Sequence, residues 1–199
     1  MKTEAHITIL RALSSHLGAA PTLLWDPSDE APQVGCAYYS AEKTGRPWGT
    51  LATFGMSINP MVMDDRASDT DTRRAEMIAY VDADETQLDD IANWLCWVGC
   101  LPFLQESPTF LGWGHTIHMD SALFKDSDLT TPLTLTSIVK ADNEPVFQIE
   151  GEDVGFLWLT FLTDAEYALK KEKGVNAVLD LFDENNHSVA LDRSRKSYI

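Results

Sequence analysis

His115, His118 and Asp120 stand close together, and imidazole and carboxylate are the side chains that hold a zinc-type ion. An ion so held, with one position open to water, would support a metal-assisted hydrolase. The spacing argues against it. In a strand, positions 115 and 118 face opposite sides because side chains alternate with period two. In a helix they would share a face, but Gly112 and Gly114 disfavour a helix here. Only a loop brings them together. The same segment also reads as a contact surface: Trp113, His115, His118 and Asp120 beside flexible glycines suit recognition of a protein partner. No metal is assigned to it, and the hydrolase is kept as the alternative reading.

Other candidate chemistry is weaker. Cys96 and Cys100 lie one helical turn apart, and no CxxC pair or second ligand set accompanies them, so both are expected to be small core residues. Three cysteines in all do not form a disulfide framework. Asp64, Asp65, Asp69 and Asp71 belong to a polar stretch without period over 64–72. A calcium loop needs a further oxygen ligand and then a glycine, but Arg73 and Arg74 follow. This acidic loop is therefore expected to be exposed and mobile, and to share a binding surface with residues 113–120. No GxSxG, GxGxxG or GxxxxGK[ST] pattern is present, so neither a nucleophile elbow nor a phosphate-cradling loop is read.

The elements that must position these residues are clearer. Residues 154–162 are apolar apart from Gly155 and Thr160, as suits a strand covered on both faces in the middle of a sheet. A shorter strand and a turn precede it from 146. Thr163 and Glu166 then have the spacing of a capping box, and Lys170, Lys171, Lys173 and Gly174 mark the end of that helix. Val175, Val178, Leu179 and Phe182 give the next helix one apolar face. Upstream, residues 4–17 read as an amphipathic helix stopped by Gly18. Strands are expected over 34–40, 49–58, 74–81 and 133–139, the first two as a hairpin. A helix follows Asp84 and Gln87, which resemble a capping pair. It is apolar over so wide an arc, with Trp94 and Trp97, that packing on two sides is expected. Residues 107–119 are irregular. Strands run consecutively instead of alternating with helices, so the fold class is α+β: a single domain with a mixed or mostly antiparallel sheet flanked by helices. Residues 1–33 form a helix and loop packing on a domain that spans 34–199.

Thirty-one acids against 15 bases leave a net charge of −16 over 199 residues. That field repels phosphate backbones and anionic membranes and attracts a basic partner. Direct nucleic-acid or membrane binding is not expected. No signal-like segment or spanning apolar run is seen, and with unpaired cysteines the reading is a cytoplasmic protein. The basic tail, Arg193, Arg195 and Lys196, is expected to pair with nearby acids.

Five stretches in order carry a resemblance: TLATFGMSINPM at 50–61, RRAEMIAYV at 73–81 with Glu76 within it, WLCWVGCLPFLQESPTFLGWGHTIHM at 94–119, VGFLWLTFLTDAEYALKKEKGVNAVLDLF at 154–182 and LDRSRKS at 191–197. Together they resemble the suppressor-of-fused (SUFU) domain family in its short bacterial form, over roughly residues 34–197. The resemblance implies a mixed α/β domain without a cofactor that binds protein and is not an enzyme. The animal member holds an extended peptide of a transcription factor, partly by β-strand addition, and has a further C-terminal half. Bacterial members often accompany secreted toxins and resemble immunity proteins. The reading is thus a non-enzymatic binding protein that neutralises a basic partner, such as a co-encoded toxin domain or an extended peptide.

Overall fold

The computed structural model describes residues 2–65, 67, 71–104 and 109–199. Asp69, at the centre of the acidic loop, and the first two residues of 107–119 lie outside that set.

The elements, in chain order, are α1 (Glu4–Leu17), β1 (Leu23–Trp25), β2 (Gly35–Tyr39), α2 (Ala41–Thr44), β3 (Gly49–Phe54), β4 (Arg74–Val81), α3 (Leu88–Leu104), β5 (Leu129–Leu135), β6 (Phe147–Ile149), β7 (Glu152–Thr163), α4 (Asp164–Lys173), α5 (Val175–Glu184) and β8 (Ala190–Leu191). Among the described residues, eight strands make one mixed sheet in the order β1-β2-β3-β4-β7-β5. The first four run antiparallel in sequence, β7 lies parallel to β4, and β5 lies antiparallel to β7. The apolar run at 154–162 is thus interior to the sheet, as its composition requires. The short β6 pairs with the start of β7, and β8 continues beside the end of β4. The fold class is α+β.

Helices cover both faces. On one, α3 buries Leu88, Ile91, Ala92, Leu95 and Val98 against Cys36, Leu51, Met77 and Leu159. On the other, Ile9, Leu13 and Leu17 of α1 and Val178 and Phe182 of α5 lie over Tyr39, Phe54, Tyr80 and Trp158. Each large side chain so enclosed contributes about 1.5–3 kcal/mol relative to exposure. Two helix starts are capping boxes, Thr163 with Glu166 and Thr3 with His6.

Buried carboxylates fasten the connections. Glu76 on β4 accepts from Thr53 Oγ1 (2.6 Å), from Ser57 Oγ (2.6 Å) and from the backbone N–H groups of Gly55, Met56 and Ser57. These donors fold the chain after Phe54 into a 3₁₀ turn, so the strand expected over 49–58 stops early. Asp142 accepts a bidentate pair from Arg46 (2.6 and 2.8 Å) and a bond from Tyr80 Oη (2.7 Å), with His16 Nε2 also at 2.7 Å. It draws the residues after β5 over the α1 face. That strand therefore runs over Leu129–Leu135 and not over 133–139. The tail residues are paired: Arg195 with Glu166, Arg193 with Glu85 and Lys196 with Asp128. No described helix is long and apolar enough to cross a membrane.

Candidate functional site

The segment after Phe110 is hydrogen-bonded along the outer edge of β5. Gly114 N–H donates to Thr134 O at 2.7 Å, Thr134 N–H to His115 O at 2.9 Å, Ile117 N–H to Pro132 O and Met119 N–H to Thr130 O, both at 3.1 Å. An extended backbone held in this way alternates its side chains. His115 meets Phe110 with ring centroids 4.8 Å apart, and Ile117 and Met119 pack on the α3 side. Thr116 and His118 turn to α4, where Lys170 Nζ donates to Thr116 and His118 stacks on Tyr167 at 4.5 Å. His118 Nδ1 also lies 2.8 Å from Thr131 Oγ1. The two imidazoles therefore stand on opposite sides, and no single ion can be held by both with this backbone. The alternative hydrolase reading on His115, His118 and Asp120 is withdrawn on this geometry. Among the described residues, no group of three or more His, Cys, Asp or Glu side chains is placed to hold a metal ion.

Two pieces read separately in the sequence do meet. Asp71 Oδ1 accepts the backbone N–H of Trp113 at 3.0 Å, so the end of the acidic loop clamps the turn that presents the indole. Close packing requires glycine at 112, where a Cβ would sit 2.2 Å from Asp71 Oδ1. Trp113 itself is 40% exposed. Asp64, Asp65 and Asp120 are exposed, and Asp69 is outside the described residues.

Asp71 and Trp113 border a notch of about 110 Å³ whose floor is β7 at Gly155, Phe156 and Leu157, with Asn143, Pro145 and Asp153 across it. The notch exists because β7 changes partners there. β5 pairs as far as Leu135↔Trp158, and β6 begins at Phe147↔Val154. Between them, residues 155–157 have no strand on that side among the described residues. Val154 O accepts from Val146 N–H towards β6, and backbone groups alternate along a strand, so the N–H and C=O of Phe156 point into the gap. No substitution-sized side chain fills the space: a Cβ on Gly155 would meet nothing within 4 Å. A glycine inside a strand is one way a chain keeps a bend, a bulge or space for a ligand or another backbone. That was the available sequence signal for this floor. The residues across the notch carried none.

Three carboxylates with shifted pKa values lie elsewhere and serve the scaffold. Burial raises the Glu76 carboxyl against the opposing pull of its Ser57 and Thr53 hydrogen bonds. Burial also works to raise Asp142 and Glu166, but hydrogen bonds from His16, Arg46 and Tyr80 in one case, and from Arg195 in the other, outweigh it and hold both below the usual range. All three are buried among their donors. What the notch offers is two backbone hydrogen-bonding groups, an exposed indole and acidic walls, which is chemistry for holding a polypeptide.

Comparison with known proteins agrees with this architecture. The chain is similar in structure to a SUFU homolog from Neisseria gonorrhoeae, with 14% identity, 98% of this chain and 97% of that one covered, and a TM-score of 0.69. It is similar also to a chain of the Sufu–Fu complex (16% identity, 98% and 92% covered, TM-score 0.63) and to Drosophila Suppressor of Fused (14% identity, TM-score 0.65). It covers 51% of the Drosophila chain, so it spans about half that protein's length. No curated protein sequence matches it. The family model for Suppressor of fused protein (SUFU) matches residues 32–196, most of the length, and the chain belongs to the SUFU family.

Proposed function

We propose that this protein is a non-enzymatic binding domain that neutralises a basic protein partner, such as a co-encoded toxin, by taking an extended segment of it into the β7 notch. The observation that carries the proposal is the break in pairing at Phe156, beside an indole clamped by Asp71. A strand entering there gains main-chain hydrogen bonds from Phe156, while Trp113 and the wall residues read its side chains. The charge of −16 steers a basic chain towards it and speeds encounter. A relative crystallised in a Sufu–Fu complex supports protein binding as the mode.

The test is co-expression and pull-down with the product of the neighbouring gene. Protection from its toxicity and a direct complex are expected. Affinity should fall when ionic strength rises from about 50 mM to about 500 mM, because the attraction is screened. Trp113→Ala should weaken the complex without unfolding the protein. Absence of a complex, or a complex indifferent both to salt and to Trp113→Ala, overturns the proposal.

A further inference from the structure

The sequence leads one to expect α3 to be packed on two sides, and the structure differs. The inner face is buried, and Trp94 is tied down by a hydrogen bond from its Nε1 to Leu123 O at 3.0 Å. A second apolar stripe, Cys96, Trp97, Cys100 and Leu104, follows helical spacing and is only partly covered. It forms one wall of a groove of about 520 Å³, and the other wall is the loop after β1, with Trp25 and Pro32. Trp97 is 38% and Leu104 56% exposed. Cys96 and Cys100 pack against the edge of the core as expected, but they are only half-buried and also line this wall. Burial, and then the neighbouring Cys96, push the Cys100 thiol up to about 11, so at neutral pH it is an uncharged, weakly polar lining group.

The charged residues of the lining are both acidic. Asp26 and Glu30 border the groove, and its lining contains no Lys, Arg or His among the described residues. Asp26 pairs with Lys2 at 2.5 Å yet stays 67% exposed, which leaves room for a second cation. Trp25 is fixed by its Nε1–H bond to Asp89 at 2.8 Å, so the two walls are joined and the groove is preformed. A second copy of this chain is a poor occupant, since it would bring another −16 and the same acidic rim against this one.

We infer that this groove is a second docking surface, distinct from the β7 notch, for a basic amphipathic helix that seats one or two large apolar side chains between Trp25 and Trp97 and sets Lys or Arg against Asp26 and Glu30. The pattern is that of a helix laid into a hydrophobic groove, with anchors at helical spacing. Apolar contact supplies affinity, and the rim selects against acidic or neutral helices. This inference does not rest on the notch reading. Either surface can fail alone.

The test is selection of a random 16-residue displayed peptide library on the intact protein, counter-selected on Leu104→Lys, with Trp97→Ser as a second variant. Leu104 lies at the exposed end of α3, so its replacement leaves the core untouched, and thermal melting verifies the fold of both variants. Enriched peptides should combine large apolar residues three or four apart with several Lys or Arg. They should bind each variant at least about tenfold more weakly, the scale of losing one buried anchor, and bind Trp113→Ala as they bind the parent. Enrichment of acidic or neutral peptides overturns the inference. So does retained binding to both variants, loss of binding on Trp113→Ala, or no enrichment over the counter-selection. A dimer that Leu104→Lys dissolves assigns the groove to a second copy and overturns it too.

Discussion

The carboxylate of Asp71 accepts the backbone N–H of Trp113 across 42 residues of sequence, at a point where a Cβ on Gly112 would collide with it. The contact couples the acidic loop to the indole, and a double-mutant cycle should expose it. Asp71→Ala removes a charge-assisted bond and is expected to cost about 1–3 kcal/mol. Gly112→Ala places a methyl against the same oxygen, so its cost should be smaller in the Asp71→Ala background than in the parent. Urea unfolding of the four proteins measures this. Strict additivity would mean that the carboxylate does not hold the turn.

Gly155 allows binding and stability to be separated. Its backbone is strand backbone, and added atoms meet nothing within 4 Å. Gly155→Val should hold or raise stability by up to about 1 kcal/mol, because glycine weakens a strand interior. The same valine fills the floor of the notch. A more stable protein that no longer binds its partner is expected from melting and titration together. Undiminished binding by Gly155→Val would sink the notch as the docking site.

Acid sensitivity should trace to His187. Burial, and then the nearby Arg195 cation, lower its pKa to about 4. The ring stacks on Phe182 at 3.8 Å, with Nδ1 2.9 Å from Tyr198 Oη. The unfolded chain takes up this proton near pH 6.5 and the folded chain only near 4, so the unfolded form binds more protons in between. The stability His187 confers is complete above about pH 6.5 and is lost as pH falls towards 4. His187→Gln should flatten the melting temperature across that window. A parent-like slope in the variant would assign the effect to other groups.

Much of this architecture is legible in the residues, and the exceptions have physical causes. α1, β4 and the Thr163–Glu166 cap are local facts of periodicity and capping, and they fall where the pattern puts them. The end of β3 is set by Glu76, and the departure of the chain after β5 by Asp142. Both depend on partners distant in sequence that no local pattern names. The short α2 in the β2–β3 connection is likewise absent from the pattern, being four residues long. At the site, Trp113 and Asp71 stand out as residue types, but the notch itself is a gap between β5 and β6. A gap is a property of strand order, which composition does not encode. The placement of His115 and His118 on opposite sides follows from the period of two of extended backbone alone. What the sequence lacks is a sign that the segment runs extended beside β5, because its glycines break any hydrophobic period and its contact with that edge is a single bridge and a few long-range backbone bonds.

Arg195 ties the tail of the chain to the start of α4, and its removal should be among the costliest single changes. Its guanidinium donates at 2.7 Å to each oxygen of Glu166, and at 2.9 Å to Phe161 O, with the two side chains 9% and 0% exposed. Glu166 also accepts the N–H groups of Thr163 and Tyr198. Breaking a buried pair from one side leaves the other charge unpaired, so Arg195→Met is expected to cost about 3–5 kcal/mol. Combining it with Glu166→Gln should cost less than the sum of the two. The pH dependence supplies the sign. Because the Glu166 carboxyl is held below its unfolded value, its contribution is present above about pH 4.3 and is lost as pH falls further. Glu166→Gln should remove that part of the acid transition and leave the His187 step at higher pH in place. Denaturation followed over pH 2–8 in the four proteins resolves the two steps, and a Glu166→Gln curve parallel to the parent below pH 4 would show that the Arg195 pair does not set the acid limit.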